Sequence, residues 1–315
     1  MTSCEDLSRH HLPLTDLFMQ PTTHDQWSDH ALSRQQLGHF EQHGFVSGIP
    51  VLQPEQVEVL REQLSRLMDP SHPGNSLFYE FHSNESQDPD TVLFHALGGW
   101  RIEKAFHDLL YCPRLRMIAY QLLGTAVRFF HDQLFCKPPA HGGVVSWHQD
   151  YSYWRWTQPM AHLTCWIALD DATMENGCLC YLPGSHRWGL LPISGLSGDM
   201  NAVEEILDLD QRAALAEPVA AQLRAGEAVF HHPLVMHGSH RNLSRSPRRA
   251  AVINYAADGV WSHPATLEGP GSESFPILPE GQPLGGDFYP LLFDPQRELA
   301  GETSQIPSLP SSLGT

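Results

Sequence analysis

The chain has 315 residues, of which 41% are hydrophobic and 10% aromatic, so it can bury a large core and is too apolar to be disordered. Its 19 Lys and Arg residues against 36 Asp and Glu residues give a formal net charge of -17 at pH 7, which repels phosphate backbones and anionic lipid surfaces. We therefore expect one globular unit that does not bind nucleic acid or a membrane surface.

The start of the chain, MTSCEDLSRHHLPLTDLF, lacks the basic and apolar regions of a signal peptide. No stretch approaches the ~18 apolar residues of a membrane span, and the final SSLGT is not a peroxisomal signal. The six cysteines include no Cys-x-x-Cys pair, which favours buried reduced thiols over a zinc cluster or a disulfide frame. We expect a soluble, cytoplasmic protein; the sequence does not indicate its oligomeric state.

Residues 1–30 form an N-terminal arm in our interpretation, and a region with mainly helical signals follows at 31–124. Ser33 and Gln36 make a capping-box pattern at the start of the first helix, and Gly44 is placed to end it. These local signals predict a helix that begins and ends within this short stretch.

A second helix is predicted to begin at Pro54, which is favourable in a first turn. Its apolar residues recur at three- and four-residue spacing and predict one buried stripe: Val57, Leu60, Leu64 and Leu67. Residues 69–98 are rich in Pro, Gly, Asn and Ser, which predicts a loop. Residues 101–124 return to a helical pattern, with a restart at Pro113 and an end at Gly124.

From residue 125 to 268 the chain changes to short β-rich runs such as AVRFFHDQLFCK, HLTCWIALDD and RRAAVINYAA, separated by Gly, Pro, Asn and Asp. Several short strands without regularly alternating helices predict a sandwich or barrel. An acidic insert at 191–217 could hold a short helix over one end. Residues 269–315, rich in Pro, Gly and Ser, are predicted to wrap the surface as an arm or to be partly disordered. Residues 31–268 thus form a single predicted domain.

His148 and Asp150 are two positions apart in the β-rich run VVSWHQDYSYWRW. Side chains two apart on a strand share a face, so both can reach one metal ion. The similar pair His39 and Glu41 lies in a predicted helix, where the two side chains point roughly 200° apart and cannot chelate. By itself the spacing leaves two interpretations open, a metal site or an ordinary hydrogen-bonded pair.

A third ligand would have to come from elsewhere, and the strand GEAVFHHPLVMHGSHRN offers His231, His232, His237 and His240. Two histidines and one carboxylate on one face of an octahedron suit Fe(II) that activates oxygen. A structural zinc site would prefer four protein ligands with sulfur among them. Residue chemistry alone does not choose among these histidines.

The block from Phe135 to Tyr255 resembles the phytanoyl-CoA dioxygenase family of iron- and 2-oxoglutarate-dependent oxygenases. Four segments in order carry the resemblance: FCKPP, WHQD, CWIALDDATMENGCLCYLPGSH and GEAVFHHPLVMHGSHRNLSRSPRRA. The N-terminal helix ending in HGFV also matches, whereas the C-terminal tail matches weakly. The resemblance implies a mainly β fold with flanking helices, built on a double-stranded β-helix (jelly-roll, cupin-like) core behind an N-terminal helical region.

The resemblance also implies which residues form the site. Fe(II) would be held by His148, Asp150 and His237, the last being the histidine of the family's H-G-S-x-x-N stretch. Arg248 matches the arginine that pairs with the distal carboxylate of 2-oxoglutarate, which a planar guanidinium can hold bidentately. Ser239 matches a hydroxyl that supports the same carboxylate.

Gln133 and Trp166 fall where the family lines the co-substrate pocket, although core packing is a second interpretation of Trp166. Arg249 should point to the opposite strand face from Arg248. The remaining histidines of the β-rich region are interpreted as structural or surface residues: His162, His231, His232 and His240.

The implied reaction hydroxylates an unactivated C–H bond of a small organic molecule and converts 2-oxoglutarate to succinate and CO2. O2 is the second co-substrate, and ascorbate is a further cofactor that the resemblance allows. The carboxylate of Asp150 favours hydroxylation over halogenation, because related halogenases leave that position to Ala or Gly; desaturation stays open as an outcome. The competing interpretations are a non-catalytic sensor of the same fold and a cupin-like enzyme that uses another divalent metal. The aromatic run from Tyr151 to Trp156 is either strand packing or a substrate wall.

Overall fold

Two antiparallel β-sheets form the centre of the computed structural model. It describes residues 4–86, 90–191, 200, 207–213, 215–264, 276–299 and 306–311. The helices are α1 (His24–Ser28), α2 (Arg34–His43), α3 (Pro54–Leu67), α4 (Lys104–Leu109), α5 (Pro113–Leu123), α6 (Leu209–Ala213) and α7 (Pro295–Glu298). The strands are β1 (Phe45–Pro50), β2 (Glu80–His82), β3 (Phe94–Leu97), β4 (Val127–Lys137), β5 (Val145–His148), β6 (Thr157–Gln158), β7 (His162–Ala168), β8 (Leu179–Tyr181), β9 (Val219–Ala221), β10 (Glu227–His231), β11 (His237–Ser239), β12 (Arg248–Ala257), β13 (Trp261–Ser262) and β14 (Leu291–Phe293).

The larger sheet has the strand order β1-β10-β7-β12-β4-β3-β2, with β14 also paired to β4, and the smaller sheet has the order β5-β11-β8-β9. The strands of both sheets pair antiparallel, and within the described ranges no helix alternates regularly with them. This arrangement is the double-stranded β-helix, and it confirms the predicted mainly β fold with flanking helices.

The two faces of the larger sheet serve different purposes because side chains alternate along each strand. The outward face packs against the helices in one large apolar cluster that includes Cys165, Ile253 and Leu64. The inward face packs on the smaller sheet through a second cluster that includes Val252 and Tyr181. Polar side chains on the inward face are therefore held between two sheets, where the functional site lies.

The predicted helix signals are confirmed where they depend on residues close in sequence. The side chain of Ser33 caps α2 together with Gln36, and Gly44 ends it in the left-handed region at φ 82°. The second predicted helix begins at Pro54, and its four stripe residues are all buried. The third predicted helical stretch corresponds to two helices, α4 and α5, and the second of them begins at Pro113 as predicted.

The predicted loop at 69–98 is wrong, because this stretch contains β2 and β3. The two strands form a hairpin that adds to the edge of the larger sheet, with Phe94 of β3 opposite Cys136 of β4. They have three and four residues, too few for an alternation pattern to outweigh the surrounding turn residues. β1 likewise lies in the region predicted to be mainly helical.

Part of the predicted C-terminal tail is built into the core. β14 pairs with β4, and its Leu292 and Phe293 are 1% and 0% exposed. Within the acidic insert predicted at 191–217, the described residues include the short helix α6. The stretches 192–199 and 201–206 of this insert lie outside the described residues.

All six cysteines are free thiols, and five of them are buried. This agrees with the predicted reduced thiols. Within the described residues, no helix has the length and apolarity needed to cross a bilayer.

The packing of β14 predicts that Leu292→Ala lowers the free energy of unfolding by about 2–5 kcal/mol, because the substitution leaves a cavity in the main core. Leu243 is the matched control, since its side chain is 70% exposed. Leu243→Ala should change the free energy of unfolding by less than about 0.5 kcal/mol. Urea unfolding of both variants measures the difference, and equal values for the two would contradict the role of the tail in the core.

Candidate active site

The three predicted iron ligands lie together between the sheets. His148 ends β5, Asp150 follows it, and His237 begins β11 directly opposite His148 in the strand register. The Nε2 atoms of both histidines lie 3.5 Å from Oδ1 of Asp150. The three side chains offer ligand atoms within 4.8 Å of one another, a group that could hold a metal ion.

Hydrogen bonds on the far side of each ring orient the two histidines. Nδ1 of His148 lies 2.8 Å from the carbonyl oxygen of Ser146, and Nδ1 of His237 lies 3.1 Å from that of Val235. A carbonyl oxygen only accepts, so each Nδ1 carries the proton and each Nε2 is directed at Asp150. This is the tautomer that a metal-binding imidazole needs.

The charges of the triad are strongly coupled. Burial opposes ionisation of Asp150, but the three neighbouring histidines outweigh it and hold its pKa well below the usual range. Burial and the neighbouring His148 lower the pKa of His237. Burial also acts to lower the pKa of His148, but its hydrogen bond to Asp150 outweighs this effect and raises it. One ionised carboxylate therefore faces one imidazole that protonates readily and one that stays neutral.

The second oxygen of Asp150 is held by a group that the sequence analysis missed. Oδ2 accepts hydrogen bonds from the Thr164 hydroxyl at 2.6 Å and from Nε2 of His231 at 2.9 Å. The Tyr181 hydroxyl in turn donates to Nδ1 of His231 at 2.9 Å. The sequence predicts only a structural or surface role for His231, whereas in the structure it orients the triad. Strand alternation could have placed it on the inward face, but not beside a carboxylate 81 positions earlier in the chain.

Arg248 lies on the inward face of β12 and is 2% exposed. Its guanidinium Cζ lies 5.3 Å from the ring centroid of Trp166. Among the described residues no side chain or carbonyl forms a hydrogen bond or an ion pair with this guanidinium, and its Nε is buried without a partner. Burial lowers the pKa of Arg248 to about 10, so it is still charged at neutral pH. A buried guanidinium of this kind requires an anion to offset its desolvation.

Arg249 points to the opposite face of β12 from Arg248, as the alternation of side chains along a strand predicted. Its Nε and Nη2 each donate to Asp170 at 2.8 Å. This paired arginine is therefore satisfied within the protein, and only Arg248 is left to bind a ligand on the inward face.

Lys137 is a second buried basic residue that the sequence analysis missed, although FCKPP contains it. It lies directly opposite Arg248 in the register of β4 and β12 and is 0% exposed. Its ammonium donates to the Ser239 hydroxyl at 2.6 Å and to the carbonyl of His240 at 2.7 Å. Burial and the charge of Arg248 lower its pKa well below the usual value. Since the Ser239 oxygen accepts from Lys137, its own proton can be donated to a ligand.

Gln133 and Trp166 lie in one row across the larger sheet, since each is paired with Val252 of β12. Trp166 is buried in the inner cluster and also flanks Arg248. The core packing of Trp166 is confirmed, whereas its role in lining a co-substrate pocket stays a prediction. Gln133 is partly exposed on the same face, where its amide can reach a ligand.

The other residues that the sequence analysis named lie either in the core or next to the triad. Trp154 and Trp156 are buried in a cluster with Tyr289 of the C-terminal segment, so most of the aromatic run is core packing. Tyr153 is the exception, because it is 40% exposed and its ring lies 6.2 Å from that of His148. His162 hydrogen-bonds Thr157 in the core.

The fold and the donor set together define a class of protein. A double-stranded β-helix with two histidines and one carboxylate at its centre is the arrangement of the iron- and 2-oxoglutarate-dependent oxygenases. The chain is similar to the solved structure of the α-ketoglutarate-dependent carbocyclase SnoK from nogalamycin biosynthesis. The two are 25% identical with a TM-score of 0.69, and the match covers 87% of this chain and 100% of that one. The solved structure of EctD from S. alaskensis has the same fold, with a TM-score of 0.59 and 22% sequence identity. The match covers 82% of this chain and 84% of that one.

Within this class the chain belongs to the phytanoyl-CoA dioxygenase (PhyH) family, whose model matches residues 40–250. It is 30% identical over 192 residues to a probable phytanoyl-CoA dioxygenase of Caenorhabditis elegans, a match covering 59% of this chain and 57% of that protein. It is also 30% identical over 164 residues to a probable α-ketoglutarate-dependent hypophosphite dioxygenase of Stutzerimonas stutzeri, covering 50% of this chain and 54% of that one. The chain thus spans little more than half the length of these relatives.

The hydrogen bond from Tyr181 to His231 predicts that Tyr181→Phe lowers the free energy of unfolding by about 1–3 kcal/mol, because a buried ring nitrogen loses its partner. Tyr255 is the matched control: it is also fully buried, but its hydroxyl has no hydrogen-bond partner among the described residues. Tyr255→Phe should therefore be neutral or stabilising. Chemical denaturation of the metal-free protein compares the two, and a cost for Tyr255→Phe as large as for Tyr181→Phe would contradict the inferred network.

Proposed function

We propose that the protein is an Fe(II)- and 2-oxoglutarate-dependent dioxygenase that hydroxylates a C–H bond of a small organic molecule. The observation that carries this proposal is the buried Arg248 guanidinium, which has no protein partner in the described residues. It lies on the inward face of the larger sheet, which packs on the smaller sheet that carries His148 and His237. An arginine in that position is explained by a ligand that brings its own carboxylate.

The donor set fits ferrous iron. His148 and His237 would each bind through Nε2, and Asp150 through Oδ1, because their other polar atoms are already hydrogen-bonded. Two imidazoles and one carboxylate leave further coordination positions open for a chelating co-substrate and O2. When bound, iron supplies the one-electron chemistry that activates O2, and 2-oxoglutarate supplies electrons as it is converted to succinate and CO2.

The residues around the co-substrate would bind and orient it. Two strands lead from the triad toward Arg248: β11 from His237 to Ser239, and β7 from Thr164 to Trp166. Each step of two residues advances about 6.6 Å along a strand, a distance comparable to the length of a five-carbon diacid. Arg248 would hold the distal carboxylate with Ser239, whose hydroxyl Lys137 positions by a hydrogen bond.

Apolar side chains flank the space between the triad and Arg248, which we call the compartment. Trp166 and Val252 lie on the same inward face as Arg248 and are each 4% exposed, so water has little access to this face. In such surroundings a charged hydrogen bond is stronger than in water, so the co-substrate is held in one orientation. Gln133 lies on the same row and would donate its amide to a 2-oxoglutarate oxygen.

The relatives act on different small molecules, and this bears on the finer part of the proposal. Their names describe action on phytanoyl-CoA, action on hypophosphite, and ring closure in nogalamycin biosynthesis. Hydroxylation is the outcome we propose because Asp150 occupies the carboxylate position. O2 as co-substrate, ascorbate as a reductant that keeps iron ferrous, and the cytoplasmic location stay predictions.

Anaerobic titration tests the proposed function directly. Addition of Fe(II) and then 2-oxoglutarate should produce the visible charge-transfer band of the chelate, and exposure to O2 should release succinate. His148→Ala should abolish both signals because one of three ligands is removed. His240→Ala is the matched control, since that side chain is exposed. A wild-type protein with neither band nor succinate release would refute the proposal, whereas a band without succinate release would favour the non-catalytic sensor.

Arg248→Met should weaken 2-oxoglutarate binding by about 2–5 kcal/mol, at least about 30-fold in Kd, because a buried carboxylate loses its charged partner. The same change should maintain or raise the stability of the ligand-free protein, since it removes an unpaired buried charge. Arg249→Met is the control with the opposite signature, because it breaks the ion pair with Asp170. It should destabilise the protein but leave 2-oxoglutarate affinity unchanged. Calorimetric titration and urea unfolding measure both quantities, and unchanged affinity in Arg248→Met would assign the carboxylate to another residue.

A further inference from the structure

Four side chains beside the triad have no role in the chemistry proposed above. Glu85 and His95 come from the β2–β3 hairpin, Phe135 from β4, and Tyr153 from the turn that follows the triad carboxylate. Oε2 of Glu85 lies 2.8 Å from Nδ1 of His95. The His95 ring stacks on Phe135, with ring centroids 4.5 Å apart and an interplanar angle of 7°. We name these four residues the rim group.

Two members of the rim group, Phe135 and Tyr153, adjoin residues of the proposed site. Phe135 lies between Gln133 and Lys137 on the inward face of β4, so it continues the surface that would hold the co-substrate. At the other end, the Tyr153 ring centroid lies 6.2 Å from that of His148. A molecule held against the rim group would therefore lie next to the triad.

The hairpin that carries Glu85 is fixed against the strand leading to the triad. The backbone N–H of Gly143 donates to the carbonyl of Val92 at 3.0 Å. A Cβ added to Gly143 would lie 3.1 Å from the Ser86 hydroxyl oxygen, so the glycine lets the hairpin approach closely. The residue next to Glu85 is thus in contact with the segment that runs into β5.

Glu85 is the one acidic residue of the rim group. The Glu85 side chain is 42% exposed, whereas its partner His95 is 12% exposed, so the carboxylate faces outward from the hairpin. Burial acts to raise the pKa of Glu85, but the neighbouring His95 and His82 outweigh it and lower it. Among the described residues neither lysine nor arginine forms an ion pair with Glu85. The carboxylate is therefore ionised, and its second oxygen is available to a ligand.

Tyr153 has two carboxylates in its neighbourhood. Those of Asp150 and Glu85 both lie near enough to the Tyr153 hydroxyl to act on it by charge. An anionic substrate group would be repelled here, whereas a cation would meet a carboxylate and an aromatic ring.

We propose that Glu85 and Tyr153 form a subsite for a positively charged group of the substrate, such as a protonated amine or a guanidinium. The substrate class is thus a small organic cation whose apolar part extends toward the triad along Phe135. The carboxylate attracts the charge, and the ring of Tyr153 adds its electron-rich face. This inference rests on the proposed function only in taking the triad as the reacting centre.

Three probes that share one carbon skeleton and differ in charge test the subsite: 3-phenylpropylammonium, 3-phenylpropanol and 3-phenylpropionate. Their binding to the full chain is measured by calorimetry under anaerobic conditions, with and without Fe(II) and 2-oxoglutarate. The ammonium should bind about tenfold more tightly than the alcohol or better, and the carboxylate should bind most weakly.

Glu85→Gln should remove the preference for the ammonium. Glu280→Gln should keep it, because Glu280 makes the same kind of pair with His263 outside the rim group. The subsite is refuted if the alcohol or the carboxylate binds as tightly as the ammonium, if the preference survives Glu85→Gln, or if no probe binds. The visible band of Fe(II) and 2-oxoglutarate is read separately. A band without charge preference overturns the substrate class alone, and charge preference without a band overturns the proposed oxygenase alone.

Discussion

The buried negative charge of Asp150 is the constraint on which the site depends. A carboxylate between two sheets is tolerated only when donors surround it. Thr164 and His231 reach one oxygen from two strands of the larger sheet, and His148 and His237 face the other oxygen from the smaller sheet. The contacts that stabilise the Asp150 carboxylate therefore align the two sheets. They also direct the Nε2 atoms of His148 and His237 to a common point.

The other end of the compartment has the opposite electrostatic character. Arg248 and Lys137 are two buried basic residues directly opposite each other, and burial together with the charge of Arg248 lowers the pKa of Lys137. Lys137 is hydrogen-bonded within the protein, whereas the described residues leave Arg248 without a partner. The compartment thus runs from a carboxylate with histidines to a guanidinium that requires an anion. This polarity is what the proposed binding of a dicarboxylic acid that chelates a metal at one end would require.

Sequence signals were sufficient where the interacting residues are close in the chain. The capping box of Ser33 and Gln36 spans three positions, and the spacing of His148 and Asp150 spans two; both have the predicted geometry. The resemblance supplied His237 and Arg248, which spacing alone did not select. The prediction failed at β2 and β3, because their pairing with β4 gives short segments a structure that their own residues do not specify.

The sequence by itself determined the class of fold, the triad and the arginine, because motifs in order along one chain carry that information. Only the tertiary structure decided that His231 and Lys137 belong to the site, since each acts through a partner 81 or 102 positions away. It also separated Tyr153 from the buried tryptophans of the same run. The physical reason is that local spacing fixes which strand face a side chain takes, whereas strand register across two sheets fixes what it meets there.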